Sequence, residues 1–256
     1  MPQITVAEAA GVGLDGRERP TEDVVMVLPD AVVVLDGATA TRDDLPSGGA
    51  YAIELGAQLV ARLTAAPELP LVKHLAGAIR AVARGNGYTP GNSPSSTVAV
   101  VRWTDDEVEA LVLADTPVVV FTDDGYEVVA DTRLADLPQE ARATTASVDR
   151  LRNRDGGFWV AEALPSAAAQ AVHRTWRRDR VRAALIATDG VACGVDTYGL
   201  FDWPTARRMA GEHGPQSLLD AVRAAERADP DGARWPRRKT HDDQALAYLD
   251  FTADPA

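Results

Sequence analysis

Two apolar runs, AVVVLDGATA over residues 31–40 and ALIATDGVAC over residues 184–193, each stop on an Asp-Gly pair. A short apolar run bounded by a turn signal reads as a buried strand. A fold for this chain must therefore bury both strands and still place an aspartate at the end of each. Glycine beside such an aspartate lets the backbone come close to whatever the carboxylate holds. Asp-Gly is also a common turn dipeptide, and the sequence has six, beginning at Asp15, Asp36, Asp124, Asp155, Asp189 and Asp231. Asp124-Gly125 lies between two β-rich runs and reads as a primed hairpin turn. Asp36 and Asp189 differ, because each precedes a loop rather than a partner strand. For either one alone, a turn remains the default reading.

The rest of the chain supplies the frame. Residues Ile4–Ala10, Val24–Leu28 and Ala31–Leu35 read as strands, with Pro29-Asp30 joining the last two. The period then becomes helical in GAYAIELGAQLVARL, where Ile53, Ala57, Val60 and Leu63 share a face, and again after Pro70 with Leu75, Ile79 and Val82. RGNGYTPGN is a loop. Strands resume in STVAVVRW, EVEALVLAD and PVVVFTDDGYEVV. A mixed, partly helical region runs from about Leu134 to Ala171, and the polar HRTWRRDR leads to the strand Ala184–Thr188. A helix begins at Gly214-Pro215 and carries Leu218, Leu219, Val222 and Ala225, and QALAYLDF is the last strand. Hairpin-linked strands with helices grouped in pairs predict an α+β layered sandwich rather than a doubly wound sheet.

The length of 256 residues suits one large domain or two small ones, and a single domain over 1–256 is the expectation. The one cysteine, Cys193, cannot form an internal disulfide, which suggests a reducing compartment. Neither a signal peptide nor an apolar run of membrane-spanning length is evident, so a soluble, cytoplasmic protein without membrane contacts is expected. A net charge of −12 repels phosphate backbones and argues against nucleic acid as a partner.

Carboxylates stand at five strand ends: Glu22-Asp23, Asp36, Asp115, Asp189 and Asp242-Asp243. Gathered at one end of a sheet, they would repel one another and hold protons more tightly. A hard divalent cation relieves that repulsion. Oxygen-only ligation, without His or Cys, favours Mg²⁺ or Mn²⁺ over zinc.

The ordered motifs TED (21–23), VVVLDGAT (32–39), SSTVAVV (95–101), LADT (113–116), ATDGV (187–191) and HDDQA (241–245) resemble those of the metal-dependent Ser/Thr protein phosphatases of type 2C, in their compact bacterial form. The resemblance runs from about Ile4 to Phe251. It implies a four-layer αββα sandwich with two central, mostly antiparallel sheets flanked by helix pairs. It also implies that Asp36 bridges two divalent cations, with the Gly37 carbonyl on one of them. Asp189 and Asp242 would hold the second, with Glu22 supporting through water, and Asp115 would contribute to a third, weaker site. Asp23 and Asp243 would stand behind these ligands. Catalysis would run by direct attack of a metal-bridging hydroxide on a phosphomonoester, with Asp36 and Asp189 at its centre and no covalent intermediate.

The chain departs from the family pattern in places. The glycine-rich loop after Asp36-Gly37 is Ala38-Thr39-Ala40, the usual Gly before Asp115 is Ala114, and the closing motif is Asp242-Asp243-Gln244-Ala245. The phosphate-binding arginine's place is Glu18, which leaves Arg19 or Arg17 as candidates after a one-residue shift. The run Arg237-Arg238-Lys239 reads as solvated surface, or as an attractor of an anionic substrate. Three functions follow: a phosphatase of phosphoserine or phosphothreonine in proteins, a phosphatase of a small phosphorylated metabolite, and a silent binding module. The oligomeric state is not legible.

Overall fold

The computed structural model describes residues 1–39, 44–142 and 144–253. Ala40, the last residue of the altered loop after Asp36, lies outside them. The strands β1 (Gln3–Ala9), β2 (Asp23–Val27), β3 (Ala31–Asp36), β4 (Val98–Trp103), β5 (Glu107–Leu113), β6 (Val118–Thr122), β7 (Gly125–Val129), β8 (Val172–Arg177), β9 (Val181–Ala187) and β10 (Gln244–Asp250) form two sheets. One has the order β1-β10-β9-β6-β7 and the other β2-β3-β4-β5-β8, and the pairings within both are antiparallel.

Alternation along the apolar strands dictates the layers, because successive side chains point to opposite faces. Val32 and Val34 of β3 face the other sheet, where they meet Val118, Val120, Ile186 and Leu249. Val33 and Leu35 face outward into a core shared with α1 (Gly48–Ala65) and α2 (Leu71–Asn86). The same split occurs in β9: Ala184 and Ile186 point between the sheets, whereas Ala183 and Leu185 pack under α5 (Asp189–Asp196), α6 (Trp203–His213) and α7 (Gln216–Ala228). Both strands are thus apolar on both faces because both faces are covered. The four layers expected from the resemblance are present, with α5 joining the α6–α7 pair. Two short helices, α3 (Gln139–Arg142) and α4 (Thr145–Asp149), lie in the mixed region. Among the described residues, no helix is long and apolar enough to cross a membrane.

Four local expectations need correction. The α1 face is rotated from the one expected: Ile53, at 56% exposure, and Ala57 face solvent and Val60 is half-buried, whereas Leu63 is buried together with Tyr51, Ala52, Leu55 and Leu59. Glycines decide the rotation. Side chains at Gly49 and Gly56 would meet Glu22 and Met26 at 2.9 and 2.7 Å, so the glycine face must be the one against β2. HRTWRRDR was expected to be a polar connection, yet most of it is β8, an edge strand whose mostly exposed side chains hide its pairing with β5. In the β6–β7 hairpin the turn is Asp123-Asp124, and Gly125 opens β7 with φ +139°. Finally, Asp189 begins a helix rather than a loop.

Gly48 illustrates how tightly the end of β3 meets α1. A Cβ there would lie 2.2 Å from the Ala38 carbonyl oxygen and 2.5 Å from the Gly37 carbonyl carbon. Gly48→Ala should therefore cost about 1–3 kcal/mol or more, as overpacking does. By contrast, Gly85 of α2 has nothing within 4 Å of that position. Gly85→Ala should stabilise by about 0.4–1 kcal/mol. Urea unfolding of the two variants beside the parent checks both signs.

Candidate active site

Strand polarity brings the carboxylates to one end of the sandwich. β3 ends on Asp36, β9 ends one residue before the Thr188 cap of α5, and β10 begins directly after Asp242-Asp243. Between β5 and β6, Asp115 follows Ala114, which adopts φ +69°, a conformation that costs a non-glycine residue roughly 1–2 kcal/mol. Asp36, Gly37, Asp115, Asp189 and Asp242 line one cavity of about 290 Å³. Glu22, Asp23 and Asp243 are buried and absent from its lining.

The end of β3 is held by its neighbour. The Asp36 amide donates to Thr97 Oγ1 at 3.0 Å, and the Asp36 carbonyl accepts from Ser96 Oγ at 2.9 Å and from the Thr97 amide at 2.9 Å. The Thr97 and Thr116 hydroxyls are 2.6 Å apart, tying this corner to the segment that carries Asp115. Ser96 and Thr97 thus serve backbone geometry. Across the sheet, Asp23 stands directly opposite Asp36 in the β2–β3 register. Thr188 Oγ1 donates to Asp23 Oδ2 at 2.7 Å and accepts from the Ala245 amide at 2.9 Å, while Asp23 Oδ1 is buried without a partner.

Burial and mutual repulsion disfavour ionisation here. Burial, and then Asp23, Asp189, Asp115 and Asp242, hold the Asp36 carboxyl well above the usual range. Burial also pushes Asp23 well up against the Thr188 hydrogen bond, with Asp189, Asp243 and Asp242 adding to the rise. Asp115 is raised, chiefly by burial. Asp189 is pushed up to about 7 by the packing around it and by Asp242 and Asp115, against the Lys239 ammonium and a hydrogen bond with Asp36.

Protein cations meet part of this charge. Arg19 bridges Glu22, through a short Nη1 contact, and Asp243 Oδ2, at 2.6 Å through Nη2. Thr39 Oγ1 also donates to Glu22, at 3.2 Å. Arg19 therefore braces the wall behind the cavity, and Arg17 is 87% exposed beside Asp15. Neither arginine lines the cavity, which takes its positive charge from Arg152, Arg238 and Lys239. The basic run before Asp242 hid this, because its residues divide: Lys239 turns to Asp242 at 2.5 Å, whereas Arg237 binds Asp229.

Among the described residues, no group of three His, Cys, Asp or Glu side chains stands ready to hold a metal ion as arranged. The donor chemistry nevertheless fits a hard divalent cation: the ligands are all oxygen, their charge is poorly compensated, and a buried Asp23 oxygen has no partner. Only part of that charge is met within the chain, by Lys239 on Asp242, by Arg19 on Glu22 and Asp243, and by a hydrogen bond between Asp36 and Asp189.

No protein-family model and no curated protein sequence matches the chain. Solved structures do match its fold. A bacterial serine phosphatase aligns over 100% of both chains with a TM-score of 0.64 at 12% identity. The PPM Ser-Thr phosphatase MsPP from Mycobacterium smegmatis, in complex with cacodylate, aligns over 97% of both at 0.60 and 17%. The catalytic domain of the serine threonine protein phosphatase PstP, in complex with two manganese ions, aligns over 97% of both at 0.60 and 12%. The chain has the fold of the PPM-type Ser/Thr phosphatases, as the resemblance to type 2C implied.

Asp189 makes the stability of the metal-free chain depend on pH. With a folded value of about 7 against an ordinary 3.8, the folded state keeps a proton that the unfolded chain has lost between those values. Stability from this group is fully present below about pH 4 and declines as pH rises through 7. Its exposure to the cavity lets solvent screen part of the effect. In chelator, Asp189→Asn should melt above the parent at pH 8, with the gap closing toward pH 4, as followed by circular dichroism.

Proposed function

On a chain with this fold, we propose a divalent-cation-dependent phosphatase that hydrolyses phosphomonoesters, with phosphoserine and phosphothreonine in proteins as the substrate class. The observation that carries this reading is the convergence of Asp36, Asp115, Asp189 and Asp242 on one cavity at one end of the sandwich. Asp36, with the Gly37 carbonyl, Asp189 and Asp242 would hold two ions, Mn²⁺ or Mg²⁺, and Asp115 would serve a third, weaker site. Bound ions of this kind activate water for attack and neutralise charge on a phosphoryl group.

The protein's own part is positioning. The Ser96 and Thr97 bonds fix Asp36, and the Thr188 hydroxyl orients Asp23 behind it. Glu22 and Asp243, clamped by Arg19, keep the loop before β2 against the segment that leads into β10. Arg152 and Arg238 offer positive charge to an anionic substrate at the cavity wall. Among the described residues, no histidine lines the cavity, and burial holds the Cys193 thiol up at about 12, so neither supplies a nucleophile.

The shape favours a substrate larger than a metabolite. A second cavity of about 320 Å³ adjoins the first and shares Ala38, Thr39, Ser95, Asp149 and Arg152 with it. It gives an extended chain room to continue past the carboxylates. Phosphopeptides should therefore be better substrates than small phosphorylated metabolites in a side-by-side phosphate-release assay, and the reverse order would favour the metabolite reading.

Hydrolysis of p-nitrophenyl phosphate should depend on Mn²⁺ and stop in chelator. Asp36→Asn should lower turnover roughly a hundredfold or more, the scale of losing one preorganised electrostatic group. Its circular dichroism should remain that of the folded parent. Full activity in both Asp36→Asn and Asp189→Asn would overturn the assignment. Absence of turnover with any metal or substrate would instead favour a binding module.

A further inference from the structure

The loop that enters β10 carries a lysine into the acidic cavity. Lys239 Nζ lies 2.5 Å from Asp242 Oδ1, and the lysine side chain is only 10% exposed against 38% for the aspartate. Lys239 also borders a smaller cavity of about 170 Å³ on its other side, and Asp189 and Asp242 line both. Its charge reaches Asp189 as well as Asp242.

This placement is built into the loop. Two residues earlier, Arg237 Nη1 binds Asp229 Oδ2 at 3.0 Å and Nη2 donates to the Glu226 carbonyl at 3.1 Å. Just after Lys239, the Asp242 carbonyl accepts from Arg223 Nη2 at 2.9 Å. The backbone is pinned on both sides, so the ammonium is presented to the carboxylates rather than to bulk solvent. A lysine ammonium is a compact point charge on a flexible stem. It can satisfy a carboxylate as a cation does, and it can swing away when a stronger cation arrives.

We propose that Lys239 is a tethered counter-cation on the Asp189–Asp242 side of the centre, so that a divalent ion binds there only by displacing its ammonium. The inference rests on the metal-dependent reading of the site and adds a determinant to it. The position beside Asp36 binds an ion without this competition, whereas the second position is weakened by a charge that belongs to the chain. Occupancy of the full centre then rises only at higher ion concentration. Removing the ammonium leaves Asp189 and Asp242 free for the ion.

The test is Mn²⁺ binding without substrate. Metal-free full-length protein is titrated with Mn²⁺, and free ion is followed by electron paramagnetic resonance for the parent, Lys239→Gln and Lys239→Arg. Apart from the weak third site at Asp115, the parent should show one tighter and one weaker class of ion, the weaker being the Asp189–Asp242 position. Lys239→Gln should tighten the weaker class by about tenfold or more, since one opposing charge at contact distance is worth at least that factor in a partly desolvated site. Lys239→Arg, which keeps the charge, should resemble the parent. If the glutamine variant does not fold by circular dichroism, Lys239→Met, which keeps the apolar stem, takes its place. Equal isotherms for the parent and Lys239→Gln, with ions bound to both, would overturn the role of Lys239 and leave the phosphatase reading standing. Failure of both proteins to bind Mn²⁺ at millimolar concentration would overturn the two together.

Discussion

Repulsion among carboxylates held at one end of a buried sandwich is the constraint on which the rest of this structure turns. Asp36, Asp23, Asp189 and Asp242 act on one another closely enough to raise the proton affinity of three of them. Left to themselves, such groups would open the end of the sheets. The hydroxyl network of Ser96, Thr97, Thr116 and Thr188 and the Arg19 clamp hold them in place. The driving force that closes the structure lies elsewhere, in the apolar layers. The Val32 and Val34 side chains between the sheets, and Val33 and Leu35 under the helices, are fully buried.

Close backbone approach is the second element of this corner. Side chains at Gly37, Gly48 and Gly190 would each fall within 2.6 Å of backbone atoms from another segment. These contacts seat the first turns of α1 and α5 against the strand ends that carry Asp36 and Asp243. The site is thus assembled from the places where strand, helix and loop meet most tightly, which is how a small set of carboxylates is held at defined separations.

Much of this was legible in the sequence because burial leaves a strong mark. The apolar runs at 31–35 and 184–187 read as covered strands, and the aspartates after them fell where the strands end. The order of motifs then identified which strand ends meet. What was not legible depends on geometry between residues far apart or on choices that local pattern leaves open. The helical period of α1 fits two faces, and only the close approach of Gly49 to Glu22 and of Gly56 to Met26 on β2 selects one. Arg19 stands among loop residues in the sequence, yet it joins Glu22 to Asp243, 224 positions away. Lys239 was visible only as part of a basic run, with no sign of which charge turned inward. Ala114 did leave a signal: it stands where the resemblance expects glycine, and its φ is the left-handed one that glycine accommodates.

The strand that sequence patterning passed over, β8, also bears on how this molecule behaves among its own copies. It closes one edge of its sheet, where unpaired backbone groups offer a template to any passing strand. Its exposed residues include His173, Arg174 and Arg177, and Arg174 and Trp176, on the side facing the other sheet, both reach across to Glu127 on β7. The two sheets are thereby laced together at their rims by polar contacts. A neighbouring chain that tried to extend the sheet would have to strip solvent from these charges and break the lacing. The composition that makes β8 look like a connection is thus a built-in barrier to edge-to-edge aggregation.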